Sequence, residues 1–405
     1  MTRIYDRFTR RSKLIYSQSK RKAKRWAARG FFSLPALSKF DPRRKVTDLK
    51  RHCKQVGVFP KSGVECEDWY LKIRNPEMIR RTPSITIDES DAARFRDSAS
   101  IYQHGNHVQI PEVFLACVYS SKIVSRDCVV LSRENKIFME SALGNPEILE
   151  ANGILDRFGI PRSTRHFREL SLISQPWSHM YYHWLLEALP RLSIIERFQQ
   201  LENVPLAVLS PVTKFQQQSL ELAGFPSNRV VEFDGSCWST DRLFFPQTLA
   251  PSGNPSPHAV AWLRARFLKL ELVPQTALCR RIYLTRRDAS QRRLLNEEEI
   301  IEFLRDKGFE IICPGDMSFS EQIRTFSDVG IVIAPHGAGA TNMVFAPPGA
   351  TLIEFFGDNY INGCFWALAN ICRHKHAFLI GKSEWLDYTI SLDSLKILLK
   401  RVVAI

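Results

Sequence analysis

The chain has 405 residues, 44% hydrophobic and 24% charged, the balance of a globular protein with room for two domains of ordinary size. Its nine cysteines are odd in number and widely spaced, with no Cys-x-x-Cys pair, which argues against a disulfide framework or a zinc cluster and for reduced thiols. The net charge of +14 is uneven: residues 1–54 hold 18 Lys+Arg against 3 Asp+Glu, while the rest of the chain is close to neutral, with 38 against 39.

The basic head interleaves Arg and Lys with Ile4, Phe8, Leu14, Ile15, Trp26, Phe31 and Phe32. That mixture suits a helix lying on an anionic membrane surface, where each basic residue contributes about 1 kcal/mol. A solvated, partly disordered tail and a mitochondrial-type presequence fit the same composition. No nucleic-acid recognition motif follows, so no nucleic-acid partner is expected. No run of about 18 apolar residues is present to span a bilayer as a helix. The N-terminus lacks the apolar core and cleavage site of a signal peptide, so none is expected.

From Val113 to Phe138 the sequence reads as short strands joined by tight turns. Leu170–Ser174 is a further strand. It leads into "QPWSHMYYHWLLEALPRLSIIERF", a helix with a break near Pro190. "PLAVLS" (strand), "TKFQQQSLELAG" (helix closed by Gly224) and "RVVEF" (strand) follow. Pro251–His258, "PSGNPSPH", reads as a linker.

Beyond it a second alternating unit begins. "RRIYLTRR" is a strand, and "NEEEIIEFLRDKG" a helix with Asn296 as N-cap, Glu299 at the capping-box position and Gly308 at its end. "FEIIC" is a strand, and "SFSEQIRTFSDVG" a helix with a second capping box, Ser318 with Glu321. "IVIAP", "GATNMVFA" and "ATLIEFF" read as strand, short helix and strand. Alternation of this kind gives parallel sheets with crossover helices. The expected architecture is α/β: two Rossmann-type domains facing a cleft, after a basic N-terminal extension. The boundaries are 1–95 for the extension, 96–250 for the first domain and 251–405 for the second.

Ligands of open parallel sheets bind at the carboxyl ends of the strands. His336, Gly337 and Gly339 fall there, between "GIVIAP" and a helix start, where glycines admit a ligand and free N–H groups attract an anion. A plain βα turn is the competing reading. Arg286 and Arg287 end another strand, and guanidinium groups suit a diphosphate. Glu354, within "TLIEFF", could accept hydrogen bonds from ribose or sugar hydroxyls. The sum is a half-site for a nucleotide sugar.

In the first domain His179, His183 and Glu187 are spaced i, i+4, i+8. Acid–base work on an acceptor hydroxyl is one reading. Metal ligation by the three residues is the other, although neither His-Glu-x-x-His nor Asp-x-Asp occurs.

"YYHWLLEALPRL", "RIYLTRR", "NEEEI", "SFSEQI" and "APHGAGATNMVFAPPGATLIEFF" resemble, in order and spacing, the family 61 glycosyltransferases, often described as capsular polysaccharide biosynthesis proteins. The likeness covers about Gln175 to Gly357. It implies a GT-B-like, inverting, metal-independent transferase with no cofactor beyond its nucleotide-sugar donor. The implied acceptor is a glycan or lipid-linked saccharide. By the same match Arg286 and the His336–Gly339 loop would face the donor diphosphate, Asn342 and Glu354 the nucleoside or sugar. Glu187 is the expected general base, with His183 in reserve. The implied setting is cytoplasmic, peripheral on an inner membrane face. Two other classes stay open: a non-catalytic nucleotide- or carbohydrate-binding protein, and a metal-dependent hydrolase using His179, His183 and Glu187.

Overall fold

The computed structural model describes residues 46–60, 67–98, 106–151, 161–270 and 280–402. The hydrophobic part of the basic head, residues 4–32, lies outside the described residues. The architecture is mixed α/β with two large sheets.

The first sheet has ten strands. Its longest parallel run is Cys237–Pro246, Arg165–Leu172, Leu206–Leu209 and Val230–Phe233, side by side in that order. The long strand Val113–Val124 joins Cys237–Pro246 antiparallel and carries Val129–Leu131 and Trp69–Arg74 as further antiparallel neighbours. The expected Rossmann-type first domain is therefore only half parallel. The reason lies in residues 113–138: turns as short as Ser125–Cys128 can only fold a strand back on its neighbour.

The helix expected around Pro190 does not break. One continuous helical run passes from an α-turn at Tyr181–His183 through a π-turn at Trp184–Ala188 and a 3-10 turn at Leu189–Arg191 to a final α-turn at Leu192–Ile195. Proline has no N–H to offer the ladder, and the wider turn before it absorbs the misfit. Arg191 is wholly buried within this run. Its Nε donates to Pro246 O at 2.7 Å, and its Nη1 to Ile173 O at 2.8 Å and Ser174 O at 3.2 Å. The guanidinium lies 4.9 Å from the Phe245 ring centre. It thus ties together the carboxyl ends of two adjacent parallel strands. Each buried carbonyl left without a donor costs about 1–3 kcal/mol. Arg191→Met is therefore expected to lower unfolding free energy by about 3 kcal/mol or more, read from the urea midpoint. A loss under about 1 kcal/mol would remove this tie from the account.

The second sheet runs, edge to edge, Glu310–Ile312, Arg280–Leu284, Val329–Pro335, Thr351–Gly357 and Lys375–Glu384, all parallel, with Asp387–Thr389 antiparallel at the end. The chain first steps outward from Arg280–Leu284, then returns to build on its other side. The loops leaving Arg280–Leu284 and Val329–Pro335 therefore diverge, and a crevice opens between them. The Ser318–Glu321 capping box forms as expected. Gly308 ends the helix Glu297–Asp306 at φ +76°, also as expected. Asn296 does not cap that helix: its amide is tied to the backbone of Ile390, at 2.8 and 3.1 Å, and to Glu299.

The boundary at residue 95 does not match the described elements. Trp69–Arg74 is a strand of the first sheet. Ile85 bridges to Ala377, and Phe95 is buried against Phe356, Trp366 and Phe378 of the second half. The missed signal is one large apolar residue, Phe95, in the helix Glu89–Ser98. One apolar cluster runs beneath both halves, with Trp184 and Leu189 from the first and Phe319 and Phe345 from the second.

Candidate active site

A cleft of about 340 Å³ occupies the switch point of the second sheet. Thr285, Arg286, Gln322, Gly337 and Gly339 line it from the second half, and Tyr181, Lys214, Phe215 and Gln218 from the first. Two hydrogen bonds join the halves there: Tyr181 Oη donates to Asn342 Oδ1 at 2.7 Å, and Phe319 N to Gln218 Oε1 at 3.0 Å.

Arg286 is the central cation. Its guanidinium lies across Gly337 so closely that a Cβ there would stand 1.6 Å from Nη1. Glycine at 337 is thus needed for approach, its backbone being extended at φ −179°. Nη2 donates to Gln291 O at 3.2 Å, and Nε is buried with no partner among the described residues. Burial, then the neighbouring Arg292, push this guanidinium below its ordinary pKa. The helix Ala338–Phe345 that follows is 3-10 and has no side-chain cap, which leaves its leading N–H groups for a ligand.

The other predicted donor residues divide. Arg287 is exposed, pairs with Asp316 at 2.8 Å and does not line the cleft. Asn342 is enclosed and does not line it. Its Nδ2 donates to Gln322 Oε1 at 2.6 Å and to Gly339 O at 3.2 Å, so it shapes the glycine loop instead of touching a ligand. Glu354 is fully buried between two imidazoles, His336 Nδ1 at 2.5 Å and His376 Nε2 at 3.0 Å. It cannot reach a sugar hydroxyl. His336 is turned toward Glu354, with its ring among Phe356, Tyr360 and Phe365. Burial pushes Glu354 well above the usual carboxyl range and His376 down to about 3. Burial, then Arg292, hold His336 well below its usual value.

On the first half, Glu187 is buried and saturated with donors. Its Oε2 receives Gln175 Nε2 and His183 Nδ1, both at 2.9 Å, and its Oε1 receives Ser252 Oγ at 3.0 Å and Gly253 N at 2.9 Å. Gly253, at φ +81°, turns its N–H to this carboxylate. The expected linker is thus a held turn, with Asn254 and Ser256 buried and Asn254 bonded to Arg81. Glu187 therefore has no free edge with which to take a proton from an acceptor. It orients His183, whose Nε2 has no partner among the described residues and whose side chain is part exposed. Of the two candidates, His183 is the one with an uncommitted polar atom.

His179 is exposed and precedes the helical run, so the i, i+4, i+8 face does not exist. Among the described residues no three His, Cys, Asp or Glu side chains converge as a metal set. The seven described cysteines are buried. Lys214, Gln218, Tyr181 and Thr285 were missed as lining residues. Lys214 had a readable signal, since it opens a helix just after the strand Leu206–Leu209, behind the Thr213–Gln216 capping box.

The site is thus a crevice at a switch point of an α/β sheet, with a guanidinium over a glycine loop. Comparison with known proteins makes this specific. Residues 181–353 match the glycosyltransferase 61 family, which bears out the resemblance carried by the sequence motifs. The chain is also similar to a beta-1,2-xylosyltransferase of Arabidopsis thaliana, 28% identical over 111 residues. That alignment covers 24% of this chain and 18% of the relative. Among the described residues no helix is long and apolar enough to cross a membrane.

Proposed function

We propose that this protein is a glycosyltransferase that moves a sugar from a nucleotide-sugar donor to a glycan or lipid-linked saccharide, in surface polysaccharide synthesis. The observation that carries the reading is Arg286 laid across Gly337 at the switch point, facing side chains of the first half. The two halves act as a GT-B-type pair, the second holding the nucleoside diphosphate and the first the acceptor. His183 Nε2 takes the proton of the acceptor hydroxyl as that oxygen attacks the anomeric carbon. Glu187 holds the ring through Nδ1 and stabilises the imidazolium that forms. Arg286 and the N–H groups opening Ala338–Phe345 take up the charge growing on the departing diphosphate, without a metal ion. One displacement inverts the anomeric centre. The xylosyl activity in the relative's name makes pentosyl donors candidates beside hexosyl ones.

A thermal-shift scan against UDP, GDP, CMP and dTDP, with and without EDTA, tests the donor side. A nucleotide present at 100 times its Kd adds about 2.7 kcal/mol of stability. One nucleotide should stand out and be indifferent to EDTA. Silence from all four would refute the reading, and a response abolished by EDTA would refute the metal-free mechanism.

A further inference from the structure

A tryptophan beside His183 is held in a backbone conformation that its side chain disfavours. Ser178 N donates to Gln175 O at 3.1 Å and closes a four-residue turn, with Pro176 second and Trp177 third. Trp177 has φ +63°. Proline followed by a residue of positive φ is the pattern of a type II turn, where glycine is the usual third residue. A bulky side chain is strained there and persists only where its surroundings over-determine it. Gln175 and Ser178, on either side, are both buried. Ser178 Oγ donates to Gln175 O at 2.8 Å, and Gln216 Nε2 to Ser178 O at 3.0 Å. Gln175 Nε2 donates to Glu187 Oε2, the same oxygen that fixes His183 Nδ1. One carboxylate thus anchors both the imidazole and the turn that presents the indole.

The ring centres of Trp177 and His183 are 5.3 Å apart, with their planes at 45°. Trp177 is half-buried and packs against the apolar cluster that holds Leu131 and Ile137. Its Nε1–H has no partner among the described residues and is not enclosed, so the polar edge of the indole is open to solvent. Packing alone does not call for this residue. Glycine would take the turn without strain, and an aliphatic side chain would cover the cluster without adding an unpaired donor. What tryptophan adds at this point is a flat π face and an N–H beside the one imidazole with a free nitrogen in the first half of the site.

We propose that Trp177 is the platform for the acceptor sugar: a pyranose lays its C–H face on the indole while one of its hydroxyls meets His183 Nε2. The negative face of the ring attracts the slightly positive C–H hydrogens, and Nε1–H donates to a hydroxyl at the sugar's edge. Stacking fixes the plane of the sugar, so the hydroxyl that attacks is the one that projects from that plane toward Nε2. The acceptor this selects is a ring with a continuous C–H face, in preference to an open-chain polyol. Trp177 is then a specificity-determining residue that touches the substrate and takes no part in the proton transfer. The proposal rests on the transferase reading, which by itself leaves the acceptor's chemistry open.

Two substitutions separate stacking from packing. Trp177→Phe keeps an aromatic face, and Trp177→Leu keeps apolar bulk without one. Both carry the same backbone strain and should melt alike. Transfer is measured onto methyl β-glucopyranoside, methyl β-galactopyranoside and methyl α-mannopyranoside, with glycerol as the open-chain control. The donor is the sugar of whichever nucleotide stabilises the wild type. The wild type should use at least one pyranoside and not glycerol. W177L should raise the acceptor KM about tenfold or more, and W177F less than about threefold, because the phenyl ring still stacks. The thermal shift given by the nucleotide should be equal in all three proteins. In saturation-transfer NMR the wild type should saturate the C–H protons of one pyranose face, and W177L should lose that pattern. An unchanged acceptor KM in W177L, or equal rises in W177L and W177F, overturns the proposal. A wild type that binds nucleotide but takes glycerol as readily as any pyranoside, or takes none of them, overturns it as well. If W177L fails to fold, W177F and the wild-type NMR pattern decide. A wild type that binds no nucleotide overturns the transferase reading itself, and this proposal with it.

Discussion

His183→Ala is expected to lower turnover by about 10²- to 10⁴-fold, the range a positioned general base contributes. Its Nδ1 is fixed on Glu187 at 2.9 Å, its ring packs beside Trp177 and Tyr182, and Nε2 alone is left to meet a substrate. Tyr182 and His336 both contact Phe365, so the His183–Glu187 pair sits close beside the second half. Glu187→Ala is the poorer test. It strands the buried Gln175 Nε2, at a cost of about 1–3 kcal/mol, and the part-buried Ser252 Oγ and Gly253 N–H, so lost activity there would partly report lost structure. His183 is at the edge of the network and can be removed with less damage. The check is steady-state transfer with the preferred nucleotide sugar, alongside nucleotide binding by thermal shift. Normal turnover in H183A would place the base elsewhere. A wild type that binds nucleotide but turns nothing over with any acceptor would favour a non-catalytic binding protein.

Arg286→Ala should reduce turnover by about 10²- to 10³-fold, the cost of losing one donor aimed at developing charge. Its approach over Gly337 brings the guanidinium to the backbone that a diphosphate would touch. Partial burial strengthens its field over that of a solvated arginine. Arg286→Lys should recover little, because a single ammonium cannot make the paired contacts of a planar fork. Arg287→Ala is the internal control: that side chain is exposed on Asp316 and should leave turnover unchanged. Equal losses at 286 and 287 would mean that general positive charge, not geometry, holds the donor.

Much of this was written in local pattern. The alternation of apolar strands and capped helices after residue 165 gave the parallel segments of both sheets, and the Ser318–Glu321 box and Gly308 marked helix ends as they stand. Asn296 failed as a cap because Ile390, ninety-four residues away, offered its amide better partners. The antiparallel half of the first sheet was legible as strands but not as part of the same sheet. Pairing between Cys237–Pro246 and Val113–Val124 joins segments more than a hundred residues apart, and no local pattern encodes that.

The sequence by itself determined the element types, the glycine loop at a strand end, and the stock of Arg, His and Glu from which a site could be made. The tertiary structure decided which of them face the ligand. Thr351–Gly357 is buried on both faces, so the alternation that tells inside from outside is absent, and nothing local shows that Glu354 is enclosed by two histidines. Arg286 and Arg287 are neighbours in a loop, where no periodicity orients them. Only the crossing of the chain at the switch point sends one into the cleft and the other to solvent. His183 and Glu187 were read as alternatives because helical spacing makes them neighbours. Only the fold of Ser252 and Gly253 onto the carboxylate divides their roles.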